Sequence, residues 1–506
     1  MMEGRSQDFI DFSAGYIDGF NPIGLPVNAL SEALNVEHTK YKAIKQRNGY
    51  LNLTSTSVAA SQPFYGLVDY EHIAAGGGKD TVLVAICNSK IYKMDDLDGV
   101  WDDITSGTVT SGNTFWFAHY NNELVMTNGN DVPLKVDNNY TVSAADKPTN
   151  MDWAKYCVQF NNYFMYVNVS VSGVEYPSRF YYNKLNDVTS FPALRYYNVD
   201  QFNGQEITAP VVWGDRLVIF KERSIYNVVF TGSNTIPFYI QKSNSNVGCV
   251  APLSVQEVDN GLMFLSYDGI YFYDGNNSTK ISREIGEYLR DSINPLQLAK
   301  ARSVLLNNKD MYLLSLPSIT STDNDVTIAL NYYLKAYTIW TGMAPAYWTN
   351  VFVNQTDERL YFGDYDGWVY RADTGDDDYP LGVQTAIEGS FALAWRDYGT
   401  ISEAEHVLDC LVWFKTNQAI NTISLGFDLE SGYVYSETFD TSVTGGEYDT
   451  AVYGTDVYAN EGYDKMRKQF KREGKITRIK ISNCNSAQTF EVYGISQEVK
   501  HKRRNK

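Results

Sequence analysis

The side chains of this chain that could do chemistry do not fall into the spacings that chemistry requires. Five histidines, His38, His72, His119, His406 and His501, form no H-x-x-H or H-E-x-x-H pair, so no zinc site is predicted. No G-x-S-x-G nucleophile elbow and no Gly-rich phosphate loop occurs. Five cysteines, Cys87, Cys157, Cys249, Cys410 and Cys484, are odd in number and far apart, and four lie in or beside apolar runs. That pattern favours buried free thiols over zinc ligands or a disulfide framework. Two acidic clusters, Asp364-Tyr365-Asp366-Gly367 and Asp376-Asp377-Asp378, offer carboxylates to a calcium ion. Neither completes a twelve-residue loop with its distal bidentate glutamate, so they are expected to be solvated turn acids. Two carboxylates at a set separation would serve glycoside hydrolysis, but among 60 Asp and Glu no pair stands out and no S-x-D-x-G-x-x-W repeat is present. Tyr267-Asp268 and Asp366-Gly367-Trp368 set an aromatic beside a turn acid. Such pairs suit stacking on a sugar, and equally suit the end of a strand. No catalytic residue, metal ligand or cofactor is predicted.

Charge is the second signal. The net charge of the 506 residues is −18, yet Lys465 to Lys506 holds 13 Lys and Arg against three Glu, a net of +10 that leaves −28 on the rest. An acidic body repels nucleic acid, and a basic end docks on something acidic. Lys465, Arg467, Lys468, Lys471, Arg472, Lys502, Arg503 and Arg504 are the candidate docking residues. No run of about 18 apolar residues occurs, so no transmembrane helix is predicted. The first residues lack a basic and an apolar signal-peptide region, from which synthesis in a cytoplasm is expected.

The elements that must carry these residues are strands. With 39 Tyr, 24 Phe and 9 Trp, the composition suits pleated, half-buried surfaces. From about Phe64 to Arg371 one pattern recurs: a turn of Asn, Asp or Gly, a short apolar strand, a second turn and a second strand. Aligning the strand after the turn on Leu83, Leu124, Phe164, Leu217, Leu262, Met311 and Leu360 gives spacings of 41, 40, 53, 45, 49 and 49 residues. Repeats of this length with several strands each mark the blades of a β-propeller, here about seven, over residues 56–375. An array of β-sandwiches is the rival. Acids in the repeat turns, foremost Asp215, Asp259 and Asp310, are candidates to face a channel. One helix is predicted at about Ser282–Asp291, with Ser282 as N-cap, as a docked surface element.

On either side the pattern changes. Residues 1–55, broken by Pro22, Gly24 and Pro26, are predicted to form an extended arm packed along the fold. Beyond 376, candidate strands at 386–393, 407–414, 420–429, 433–439, 475–482 and 490–498 predict a small β-sandwich, followed by a basic tail at 499–506. The fold class predicted is therefore all-β: propeller, N-terminal arm and C-terminal sandwich.

Three stretches carry a family resemblance. Asp11-Phe12-Ser13-Ala14-Gly15 with Leu25-Pro26, Asn35-Val36 and Gln46-Arg47-Asn48-Gly49-Tyr50 is similar to the opening of short-tailed bacteriophage tail hub and nozzle proteins, including packaged-DNA stabilisation proteins. Gly248-Cys249-Val250-Ala251-Pro252 through Ser282, and Phe490-Glu491-Val492-Tyr493-Gly494-Ile495, resemble the same proteins. The resemblance implies a virion protein: a ring of identical subunits, a hexamer, below the portal and adaptor and above distal tail proteins. Such a ring closes on packaged DNA and conducts the duplex without specific binding. The reading from a different class is a tail propeller that binds or cleaves carbohydrate.

Overall fold

The computed structural model describes residues 4–74, 76–95, 99–187, 189–353, 357–396, 405–416, 422–429, 434–440, 464–474 and 476–501. Among the described residues, seven four-stranded antiparallel blades follow one another, at 64–103, 116–144, 151–198, 207–242, 256–280, 302–341 and 347–372. The fourth strand of the seventh blade is Tyr50–Asn52 from the arm, which pairs antiparallel with Val369–Ala372. Every aligned anchor, Leu83 through Leu360, lies in the second strand of its blade, and none is more than 2% exposed.

The ring closes through its cores. One sheet buries a face only against a neighbouring sheet, so each pair of adjacent blades holds one apolar cluster. Tyr70, Val84 and Leu124 join blades 1 and 2, Leu217 and Phe180 join blades 3 and 4, and Phe220 and Phe264 join blades 4 and 5. Phe64 and Tyr361 join the last blade to the first. That last contact excludes a row of separate sandwiches, because a row leaves its end sheets uncovered.

The arm continues past the closure into a second domain. Val36–His38 and Ile44–Gln46 lie in one sheet with Phe490–His501, Glu405–Thr416 and Asp464–Gly474, and Gly4–Phe9 pairs along Phe490–His501. Ala29–Leu34 pairs with Gly389–Leu393 in the facing sheet, which runs on from blade 6. Phe12, Leu30, Ile44, Phe391, Val412, Ile481 and Phe490 fill the space between them. The strand Asp464–Gly474 was not among the predicted strands. Its run of charges breaks apolar alternation, and it is paired only because Glu405–Thr416 offers a register for it.

Two local expectations are corrected. The helix spans Gly286–Asp291, shorter than predicted, and Ser282 does not cap it. Ser282 is buried, and its Oγ accepts from the Ile270 amide. The helix amides of Glu287 and Tyr288 donate instead to the Asp18 carboxylate of the arm, at 3.2 and 2.5 Å. An N-cap bond needs only an acceptor in reach, and here the chain supplies it from a residue far away in sequence. The acidic clusters are solvated only in part: Asp366 is exposed, whereas Asp364, Asp377 and Asp378 are buried. Asp364 accepts from the Asp366 and Trp368 amides and the Tyr370 hydroxyl, and Asp377 from Gln384, Ser486 and the Ala487 amide. Partners brought by the fold replaced water around these carboxylates.

Burial in the sandwich core sets one pH dependence. His38 is buried with Nε2 3.0 Å from the Phe12 carbonyl oxygen, and desolvation pushes its pKa from 6.5 down to about 4. Between those values the unfolded chain holds a proton that the native histidine refuses, so stability falls as pH drops through the window. In urea titrations, His38→Gln is expected to flatten the wild-type slope between pH 6.5 and about 4 by up to about 1.4 kcal/mol per pH unit. Parallel curves for the two proteins would contradict the neutral buried imidazole. Asp69, pushed up to about 6 by burial, acts with the opposite sign in both proteins and cancels in the comparison.

Candidate functional site: the hairpin rim and the propeller axis

The seven first strands all run in the same sense around the axis, so the hairpin turns that follow them gather on one rim. Hydrogen bonds join the neighbouring turns of blades 1 and 2, 2 and 3, and 6 and 7. Asn122 of blade 2 donates to the Ile73 carbonyl of blade 1 at 2.9 Å, Tyr120 of blade 2 to the Asn162 carbonyl of blade 3 at 3.3 Å, and Asn307 of blade 6 to Glu358 of blade 7 at 2.8 Å.

Asp215, Asp259 and Asp310 occupy these turns in blades 4, 5 and 6, and all three are exposed. The turns require backbone at positive φ: Asn121 and Asn122 at 52° and 63°, Asn161 and Asn162 at 48° and 62°, Gly214 at 57°, Asp259 at 47° and Asp310 at 53°. Asn, Asp and Gly tolerate that region, which explains why these types recur at the repeat turns. It does not explain the charge, since blades 2 and 3 use neutral Asn at the matching places. Asp215 pairs with Arg216 at 3.1 Å and Asp310 accepts from Tyr332 at 3.4 Å. Of the other turn acids, Glu123 is held by Lys135 at 2.9 Å and Asp357 by Arg359 at 2.7 Å.

Lys465, Arg467, Lys468, Lys471 and Arg472 lie on one strand, Asp464–Gly474, which among the described residues is the outer strand of its sheet. Lys502, Arg503 and Arg504 lie outside the described residues. Charged residues on an edge strand discourage indiscriminate strand pairing, so this position also has a purely structural rationale.

On the axis, the first strands enclose two cavities of about 290 and 260 Å³, both bordered by Trp116, Leu253 and Arg302. Of the aromatics considered as sugar platforms, Trp368 packs between blades 6 and 7. Tyr267 is 59% exposed beside a cleft of about 470 Å³ that Asp268, Lys280 and Arg290 also border. Cys87, Cys157 and Cys249 are buried free thiols, Cys410 is also buried, and Cys484 is exposed. Among the described residues no group of three His, Cys, Asp or Glu side chains is placed to hold a metal ion, and no helix is long and apolar enough to cross a membrane.

Comparison with known proteins gives one family. The model described as "Bacteriophage P22 Gp10, beta-propeller" matches residues 62–374. No curated protein sequence matches the chain. Among solved structures, the computationally designed Ika8 protein is similar at 10% identity and a TM-score of 0.37, covering 63% of this chain and 98% of that one. PorZ of Porphyromonas gingivalis, a surface component of the type-IX secretion system, is similar at 11% identity and 0.39, covering 78% and 46%. The AfRom2 CNH domain is similar at 11% identity and 0.40, covering 64% and 99%.

Proposed function

The chain belongs to the bacteriophage P22 Gp10 β-propeller family and is a phage structural protein; from that premise we propose that it is a ring subunit of a short tail, a hub or nozzle that retains packaged DNA and conducts it during ejection. The observation that carries this reading is the exposed acid in three successive inner turns, Asp215, Asp259 and Asp310, on one rim. A duplex slides where it finds no cations, because each Lys or Arg contact to phosphate releases counterions and adds affinity. The duplex does not thread a single propeller: its major groove alone is about 12 Å wide, while the axial cavities hold about 290 and 260 Å³. Its path runs between subunits, and the acidic rims line it. The basic strand Asp464–Gly474 and the following Lys502, Arg503 and Arg504 dock on an adjoining tail protein, portal or adaptor above or distal component below.

The turn geometry supplies a clean test, since Asn fits positive φ as well as Asp does. Virions carrying Asp215→Asn, Asp259→Asn and Asp310→Asn together are expected to assemble normally and to eject DNA more slowly than wild type at low salt. The difference should shrink as salt shortens the screening length to about 8 Å near 0.15 M. Equal ejection rates at every salt concentration would overturn the role of the rim. Absence of the chain from the tail of purified virions would overturn the tail assignment. The carbohydrate reading, for which exposed Tyr267 is the relevant residue, requires release of reducing ends from host surface glycan, and none is expected.

A further inference from the structure

One lysine of the propeller lies inside the fold with no carboxylate in contact. Lys221 ends the second strand of blade 4, Arg216–Lys221, and is fully buried. Its Nζ lies 3.0 Å from Ser178 Oγ, 3.1 Å from the Asp200 carbonyl oxygen, 3.1 Å from Asn203 Oδ1 and 3.2 Å from the Gln205 carbonyl oxygen. None of these four acceptors is a carboxylate oxygen. A buried ammonium loses hydration that only a paired carboxylate restores well, and burial pulls the Lys221 pKa down to about 8. Near that pH a large share of the side chain is the neutral amine, which is a nucleophile.

The loop that joins blades 3 and 4, residues 199–206, sets a reaction partner against this amine. The Asn203 side-chain amide touches it through Oδ1. The same Oδ1 accepts from the Gln205 backbone amide at 3.0 Å. That donor sits on the oxygen where negative charge gathers when an amide carbon is attacked. On the other side, Asn203 Nδ2 donates to Asp200 Oδ2 at 3.2 Å and to the Tyr226 hydroxyl at 3.3 Å. The Tyr226 hydroxyl donates in turn to Asp200 Oδ2 at 2.6 Å, so the carboxylate is fixed beside the amide nitrogen. Nucleophile, oxyanion donor and proton carrier thus surround one amide, the roles that amide exchange requires.

We propose that Lys221 and Asn203 join in an intramolecular isopeptide bond, a covalent clamp of blade 4 onto the loop from blade 3. The neutral amine attacks Asn203 Cγ, and the Gln205 amide stabilises the negative oxygen that results. The Nζ–Cγ bond forms and the Cγ–Nδ2 bond breaks. One proton passes from Nζ by way of the Asp200 carboxylate to Nδ2, which leaves as ammonia. Nothing is oxidised or reduced, and no cofactor or second protein takes part. The new amide is uncharged, so the bond also removes a buried ammonium. It closes a short loop in the chain, as a disulfide would, without an oxidant. The clamp does not depend on the role of the chain in a tail.

The test is the mass of the full-length protein, incubated folded near the Lys221 pKa of about 8 and then denatured. Wild type is expected to be lighter than its sequence by one ammonia. Trypsin should release a branched peptide in which residues 196–216 are joined to residues 217–223 through Asn203 and Lys221, with no cut after Lys221. The branch separates this bond from a succinimide at Asn203-Gly204, which also loses ammonia but leaves both peptides linear. Lys221→Met should keep the full sequence mass. Should that variant fail to fold, Asp200→Asn decides: Asp200 is exposed, and the change keeps both reacting side chains. Asp200→Asn is expected to form the bond at least about a hundredfold more slowly than wild type, and to melt at a lower temperature for want of the clamp. Wild type at its full sequence mass, or lighter protein without the branched peptide, would overturn the proposal and leave Lys221 as an ammonium that tethers the loop. Bond formation as fast in Asp200→Asn as in wild type would overturn Asp200 as the proton carrier.

Discussion

Replacing Arg47 with methionine is expected to cost roughly 3–5 kcal/mol of folding stability, the largest effect of any single charged residue described above. Arg47 is fully buried and uses every donor it has. Nε donates to Asn35 Oδ1 at 3.0 Å, Nη1 to the Asn48 carbonyl and Asp378 Oδ1, and Nη2 to the Thr341 carbonyl and Asp378 Oδ2 at 2.8 and 2.6 Å. One side chain thus ties the arm, the last strand of blade 6 and the segment that leads into the sandwich. The backbone is equally close here, for a Cβ on Gly49 would lie 1.8 Å from the Asp377 carbonyl oxygen. Burial raises the Asp378 carboxyl above its ordinary pKa while Arg47 pulls it down. Methionine fills the space but strands a buried carboxylate, and that loss is what is measured. Arg47→Lys should fare little better, because an ammonium cannot reproduce the bidentate fork. Arg47→Met combined with Asp378→Leu should recover a large part of the loss, since no lone charge remains. A near-zero shift in urea midpoint for Arg47→Met would show that the arm is not anchored at this point.

Leu262→Ala is expected to cost about 2–5 kcal/mol. Leu262 is fully buried in the second strand of blade 5, paired with Tyr273 and packed with Phe220, Phe264 and Tyr271 between blades 4 and 5. Two facing sheets collapse poorly around a missing isobutyl group, because each is held by its own ladder, so the cavity term stays large. Leu296→Ala is the control: Leu296 is 88% exposed, and its truncation should shift the midpoint by no more than about 0.5 kcal/mol. Equal shifts for the two variants would mean that the repeat register is misplaced.

The register was legible because it is a local property written seven times. Each anchor strand needs apolar residues whatever its neighbours are, and each turn needs Asn, Asp or Gly at positive φ. Leu83, Leu124, Phe164, Leu217, Leu262, Met311 and Leu360 were therefore alignable before any sheet was seen, and all seven lie in second strands. The high strand content followed from the same local grammar.

Partner choice was not legible, because it depends on residues hundreds of positions apart. Asp18 reads as a loop acid and caps a helix at 286–291. Asp378 reads as a solvated turn acid and is buried on Arg47. Asp464–Gly474 reads as a basic segment and is a paired strand. Arg302 precedes an apolar run as an ordinary strand-end charge would, yet the closed ring buries it. Thus the amino-acid sequence alone determined the repeat, the strand faces and the turn types, which are set by steric limits and apolar periodicity within a few residues. Only the closed ring decided which charges are buried, which are paired and which converge on the axis, because desolvation and Coulomb energy depend on distances in space that local sequence does not encode.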